Sequence, residues 1–200
     1  MTRSTLVLLW LGLMALAACK TDPGTNADSV PYKRTSDTVI VRMEAEPDRL
    51  TPMLTINSYA NRVNQQAFFT LENVDGKTLE YESLLLSGEP KITEIEEGEY
   101  AGGVAFDLEI HPEAVWDNGT PVTGNDYAFS LKTIFNPLVG GSASIYRIYF
   151  SSIKEVEVNP ENPKQFRVVF YPKNIQARDI VTGEVRLLPE YHYDPDGLMA

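Results

Sequence analysis

Cys19 is the only cysteine in the chain, and it closes the run Leu16-Ala17-Ala18-Cys19. A thiol placed directly after two small residues is the usual acceptor for diacylglycerol, and small side chains at 17 and 18 suit the narrow cleft of a signal peptidase. Ahead of it, Leu6 to Ala17 is an apolar run of 12 residues behind the positive Arg3. A helix needs about 20 residues to cross a hydrocarbon core, so residues 1–18 read as a lipoprotein signal peptide rather than a membrane span. A single cysteine excludes an internal disulfide and a cysteine-built metal site. His111 and His192 are far apart and lack any H-x-x-x-H spacing, so neither a metal nor a cofactor is expected. No G-x-S-x-G, Walker or dinucleotide motif is present, and the Asp and Glu residues fall mainly on alternating solvent positions, so no enzymatic chemistry is expected. The net charge of -11 and pI near 4.6 argue against a nucleic-acid partner. They leave either a well-solvated acidic surface or attraction of cationic ligands.

The elements that would position any site are clearest between Ile110 and Pro137. Trp116-Asp117-Asn118-Gly119-Thr120 predicts a two-residue reversal at Asn-Gly, which supplies the positive backbone angles such a turn needs. Thr123 and Asp126 stand in the T-x-x-D relation of a capping box. Tyr127, Leu131, Ile134 and Phe135 follow at helical spacing and predict one buried face, ended by Asn136 and Pro137. Trp116, beside this turn, can stack on a ligand or pack in the core or at a hinge.

Elsewhere, residues 19–37 are rich in Thr, Asp, Pro, Gly, Asn and Ser and predict a flexible tether. The domain is expected over 38–200. Thr38 to Met43 predicts a strand covered on both faces. Ser58 to Thr70 predicts a helix with Val63, Ala67 and Phe68 inward, Asp75-Gly76 a turn, and Leu84 to Leu86 an apolar anchor. Lys91–Ile95 with Val104–Ile110, and the stretch Ile153–Tyr171, predict two hairpins, with Val104, Phe106, Leu108 and Ile110 alternating inward. Leu187 to Asp196 has no evident partner strand. Hairpins with a few helices make an α+β or mixed α/β lobe.

These residues also carry a resemblance. Glu46-Pro47-Asp48-Arg49-Leu50-Thr51-Pro52 is similar to an E-P-x-x-L-D-P segment. Leu108, Val115, Trp116, Gly119, Thr120, Pro121, Val122, Thr123, Asp126, Phe129 and Ser130 match a longer strand-turn-helix pattern. Leu187 to Pro195 is similar to an I-L-P-K-H segment. On these motifs the chain resembles the amino-terminal part of the family 5 extracellular solute-binding proteins, the oligopeptide- and dipeptide-binding components of ABC importers. It departs from the pattern at Asn118 and Thr51, where the family has Asp, at Gly124, where it has Ala, and at His111, near its usual Arg.

The resemblance implies a periplasmic-binding-protein-like fold (type II, cluster C), incomplete relative to the family. It implies a monomeric, non-enzymatic receptor for peptides or related solutes, working with an ABC permease and held at a bacterial membrane through the Cys19 lipid. Lys20 after the cysteine favours the outer membrane by the enterobacterial sorting rule. The alternative is a short cell-surface interaction or sensor lipoprotein. Two positions carry ligand contact by resemblance: Glu46, where the family's extended segment runs along the peptide backbone, and Tyr146, where a tyrosine faces the cleft. Glu46 can equally be an exposed strand-end charge, and Tyr146 a core residue beside Tyr149 and Phe150.

Overall fold

The computed structural model describes residue 37 and residues 39–199. The signal peptide, Cys19 and all of the tether except Asp37 lie outside them. The chain divides into a short unit ending at Arg42 and a compact unit from Met43 onward. The strand expected from Thr38 is not formed over the described residues 39–43. Val39, Ile40 and Val41 are exposed. β-Branched residues favour a strand only where a neighbouring strand takes up their backbone groups and something covers their side chains, and no such neighbour is found among the described residues.

The compact unit runs α1 (Ser58–Ala67), β1 (Glu72–Val74), β2 (Tyr81–Ser83), β3 (Lys91–Ile95), β4 (Gly103–Glu109), α2 (Gly124–Phe135) and α3 (Ala143–Tyr149). It continues through β5 (Ile153–Val158), β6 (Gln165–Phe170), a π-helix (Asp179–Glu184) and α4 (Glu190–Tyr193). Among the described residues no helix is long and apolar enough to cross a membrane. The two predicted hairpins merge into one antiparallel sheet of order β3-β4-β6-β5. In the central pair, Val104 lies opposite Phe170, Phe106 opposite Val168 and Leu108 opposite Phe166. All six are buried. Alternation of apolar residues therefore gives the sheet an inner face built from cross-strand pairs, while on the other face the pair Ala105–Val169 is also buried.

Helix α2 covers that face. Its start is the predicted capping box: the Thr123 hydroxyl accepts from the Asn125 amide at 3.3 Å, and the Asp126 carboxylate accepts from the Thr123 amide at 2.8 Å. Tyr127 packs on Phe166 with centroids 5.3 Å apart, and its hydroxyl donates to the Val181 carbonyl at 2.9 Å. Tyr127, Leu131 and Ile134 are buried, whereas Phe135 is 41% exposed, contrary to the expected stripe. At 3.6 residues per turn, position i+8 is rotated roughly 80° from position i, which puts Phe135 at the margin of the buried arc. The carbonyls at the end of α2 are capped from outside. Arg147 Nε donates to the Ile134 carbonyl at 2.6 Å, and Nη2 donates to the carbonyls of Asn136, at 2.6 Å, and Val139.

Helix α1 is shorter than expected. Asn57 caps its start through Oδ1 to the Tyr59 and Ala60 amides, and it ends at Ala67, where Phe68 turns extended. Its buried face is Ala60 and Asn64, with Val63 half-buried and Ala67 exposed, so the inward face is shifted by about one turn from the expected one. Phe68 packs on the core as expected. The Asp75-Gly76 turn joins β1 to β2, with Asp75 Oδ1 accepting from the Lys77 and Thr78 amides. Of the apolar anchor, Leu86 is buried and Leu84 is exposed.

The Trp116–Thr120 turn is a three-residue loop rather than the two-residue reversal. The Gly119 amide bonds to the Trp116 carbonyl and the Trp116 amide to the Thr120 carbonyl. Only Gly119 takes a positive φ, +85°, while Asn118 uses its side chain to accept from the Thr120 amide. This is a type I turn closed by a glycine bulge. Lys164, in the β5–β6 loop, donates its ammonium protons to the carbonyls of His111 and Ala114 at 2.9 Å and of Val122 at 3.3 Å. Burial lowers its pKa, and the nearby Asp126 opposes the shift.

Gly124 follows from the same packing. A Cβ there would meet Cβ and Cγ of Phe166 at 2.8 Å. Alanine is the better helix former by about 1 kcal/mol, yet Gly124→Ala is expected to lose about 1–3 kcal/mol through the forced clash. Urea denaturation measures it, and a more stable variant would show that the contact is soft.

Candidate functional site

The loop bearing Glu46 is fixed by a short polar clasp. Asp48 Oδ1 accepts from the Thr55 hydroxyl at 2.7 Å and from the Arg49 amide at 2.9 Å, and the bond from Thr55 is the main cause holding the Asp48 carboxyl below its ordinary range. Met53, fully buried, sits at φ +61° within this loop. A bulky residue held in the left-handed region marks a backbone whose path is dictated by its surroundings. Glu46 itself is exposed and makes no hydrogen bond among the described residues.

Tyr146 lies on α3 with its ring stacked on Phe150 at 5.8 Å and half-buried against the core. Its hydroxyl makes no hydrogen bond among the described residues. Burial raises its pKa, with Arg186 and Glu184 close enough to act on it in opposite directions. Glu184 is itself pushed upward by burial, and Arg186 only partly offsets this. Glu184 and Arg186 thus lie within electrostatic reach of Tyr146, and Tyr149 also feels Glu184. Nothing joins Glu46 to this cluster, and neither Glu46 nor Tyr146 lines either of the two concavities described below.

The segment carrying Glu184 is locked by residues that sequence reasoning missed. Arg178 makes a bidentate pair with Glu72, Nε to Oε2 at 3.0 Å and Nη2 to Oε1 at 2.7 Å. The Glu72 side chain is only 3% exposed, contrary to the expected solvent positions for acids. The guanidinium also sits 3.9 Å from the centre of the Tyr81 ring. The Tyr81 hydroxyl donates to Asp179 Oδ1 at 2.6 Å, and burial followed by this bond pushes its pKa up to about 12. These partners lie about a hundred residues apart in sequence, with no local pattern to reveal them. π-Helices recur at functional sites.

Trp116 is partly buried and packs against the core. Its indole N–H is buried without a well-formed hydrogen bond, yet it acts on the Asp126 carboxylate. Asp126 is buried, a second exception among the acids. Burial raises its pKa, against the pull of the Thr123 and Glu190 amides, the indole and the Thr123 hydroxyl. Among the described residues no three acidic, histidine or cysteine side chains converge to hold a metal ion.

Two concavities stand out. An open groove of about 650 Å³ runs over the outer face of the sheet, and its opposite charges are partly paired, Arg167 with Asp107 at 2.7 and 3.1 Å. A more enclosed, mainly apolar cavity of about 440 Å³ lies among the end of α1, the Trp116 turn and the start of α4.

No protein-family model matches the chain. The oligopeptide-binding protein OppA of Bacillus subtilis is 24% identical over 180 residues, covering 82% of this chain and 31% of the relative. The solved structure of the oligopeptide-binding protein AppA from Bacillus subtilis, in complex with a nonapeptide, is similar with a TM-score of 0.58 at 17% identity, covering 74% of this chain and 26% of that one. Haemophilus influenzae OppA, in complex with RPPGFSPFR, gives 0.57 at 19% identity, covering 78% and 32%. The chain spans about a quarter to a third of the length of these proteins. Its fold is mixed α/β and corresponds to part of the periplasmic-binding-protein fold of OppA-like proteins. Over most of its length it resembles the amino-terminal part of the family 5 extracellular solute-binding proteins.

Asp126 gives this region a pH signature. A carboxyl whose folded pKa is raised contributes stability below its unfolded value, and that contribution is lost as pH rises through the folded value. The stability advantage of the wild type over Asp126→Asn is therefore expected to shrink as pH rises above 3.8, the ordinary value. Urea midpoints of both proteins across that window measure it; an advantage that grows with pH would reverse the assignment of burial as the dominant cause.

Proposed function

We propose that the chain forms the amino-terminal part of a lipid-anchored receptor that binds oligopeptides or related solutes and delivers them to an ABC permease. The observation that carries this reading is the fold shared over about three quarters of the chain with receptors solved in complex with peptides. The function is binding without chemistry. A second lobe closes on the ligand by hinge motion, main-chain hydrogen bonds give affinity, and pockets accept varied side chains.

In this reading Glu46 offers its carboxylate to an amide or amine of the ligand by a charge-assisted hydrogen bond. Tyr146 offers a hydroxyl with no partner of its own among the described residues. The Arg178–Glu72 pair holds the π-helix, and so Glu184, in register beside it. Calorimetry of the native protein extracted from membranes, titrated with tri- to pentapeptides, is expected to give saturable binding. Tyr146→Phe and Glu46→Gln should each weaken it by about tenfold, the loss of one good polar contact. Uniform silence toward peptides, alongside binding of a sugar, would sink the peptide assignment.

The anchor is placed at Cys19, with the protein monomeric in the bacterial cell envelope and held at the outer membrane. Cys19→Ser is expected to move the protein from the membrane fraction to the soluble fraction, and a variant that stays membrane-bound would remove the lipid from the account.

A further inference from the structure

The 440 Å³ cavity has a composition that the peptide reading does not use. Its lining includes Phe68 and Phe69 where α1 ends, Trp116 and Asp117 on the three-residue turn, and Tyr191 and His192 on α4, together with aliphatic residues such as Leu85 and Val122. Its size falls within the range of small-molecule sites, which are mostly apolar with a few placed polar groups. Five of the twelve lining residues are aromatic and one is charged. Asp117 is the only carboxylate in the lining, and no lysine or arginine lines it.

The carboxylate is held in place. Asp117 Oδ1 accepts from the Tyr191 hydroxyl at 2.6 Å, a bond that ties the turn to α4 across the cavity. This bond is the first cause of a Tyr191 pKa pushed up to about 12, so the hydroxyl remains a donor throughout the physiological range. Oδ2 of Asp117 accepts no hydrogen bond among the described residues, which leaves it for a ligand. Among the rings, the exposed His192 meets Tyr193 edge-on at 5.1 Å and Tyr191 at 6.5 Å.

We infer that this cavity binds a small organic cation with an apolar body, of the arylalkylammonium type, between the aromatic faces and Asp117. Aromatic rings attract a cation through their negative faces, and the attraction grows when the cation is desolvated. One carboxylate without a competing cationic side chain decides the sign of the guest. The net charge of -11 favours the approach of cations over anions. A bare metal ion does not fit, since one carboxylate among aromatic rings supplies too few donors. The site is separate from Glu46 and Tyr146, so it stands or falls independently of the peptide reading.

The test is calorimetric titration of benzyltrimethylammonium into the full 200-residue chain in nonionic detergent, with quenching of tryptophan fluorescence as a second readout. Saturable binding is expected, weakened roughly tenfold by Asp117→Asn and by Phe69→Ala. Asn keeps an acceptor for Tyr191, and Phe69 is 48% exposed, so both variants should retain the wild-type melting temperature. The neutral isostere neopentylbenzene and the anion 3-phenylpropionate should bind far more weakly. The proposal is overturned by absence of saturable binding, by either control matching the cation, or by unchanged affinity in both variants.

Discussion

One buried carboxylate sits where the start of α2, the Trp116 turn, the β5–β6 loop and the tail come together, alongside backbone bonds such as Gly124 N–H to the Pro163 carbonyl and Ile110 N–H to the Lys164 carbonyl. Asp126 closes the capping box of α2 and interacts with the Glu190 amide and the indole of Trp116. The ammonium of Lys164 lies close enough to feel it while gripping three carbonyls of the stretch between His111 and Val122. A charge taken out of water is costly unless its polar partners replace hydration. Here the acid is short of full compensation, as its raised pKa records. The helix start, the turn and the tail each present a polar group to this carboxylate, and the β5–β6 loop is joined to the helix start by the backbone bond from Gly124 to Pro163.

The same economy appears at the other end of the sheet. Arg178 and Glu72 form a desolvated pair that joins the β1–β2 hairpin to the π-helix, while Tyr127 bonds to the Val181 carbonyl from beneath. Arg147 does for the end of α2 what the capping box does for its beginning. Polar side chains fix how the elements meet, and the apolar pairs of β4 and β6 supply the driving force. The surfaces carrying Tyr146 and Trp116 are thus held by separate polar centres.

Local chemistry was legible in the sequence and distant chemistry was not. The capping box, the α2 face through Ile134 and the alternation in β4 and β6 depend on residues within a few positions of one another, and each stands where spacing placed it. Val39 to Val41 had strand-forming side chains but no strand beside them among the described residues, a condition that lies outside the segment itself. Asn118-Gly119 could not distinguish a two-residue from a three-residue loop, because both use the glycine and differ only in the φ of the residue before it. Glu72 and Arg178 carry no local mark at all. At the candidate site, resemblance supplied Glu46 and Tyr146, while Glu184 and Arg186 came to light only when folding brought them beside the tyrosine.

The strand order also governs how the chain behaves while it is being made. Asp107 on β4 and its partner Arg167 on β6 are 60 residues apart. At a synthesis rate of about 5–20 residues per second, the apolar side of β4 emerges several seconds before the strand that covers it. Its hairpin with β3 forms at once but leaves Val104, Phe106 and Leu108 open. For those seconds the nascent chain presents a sticky ribbon, and the acidic, glycine-bearing loop from Glu96 to Gly102 is the nearest soluble segment flanking it.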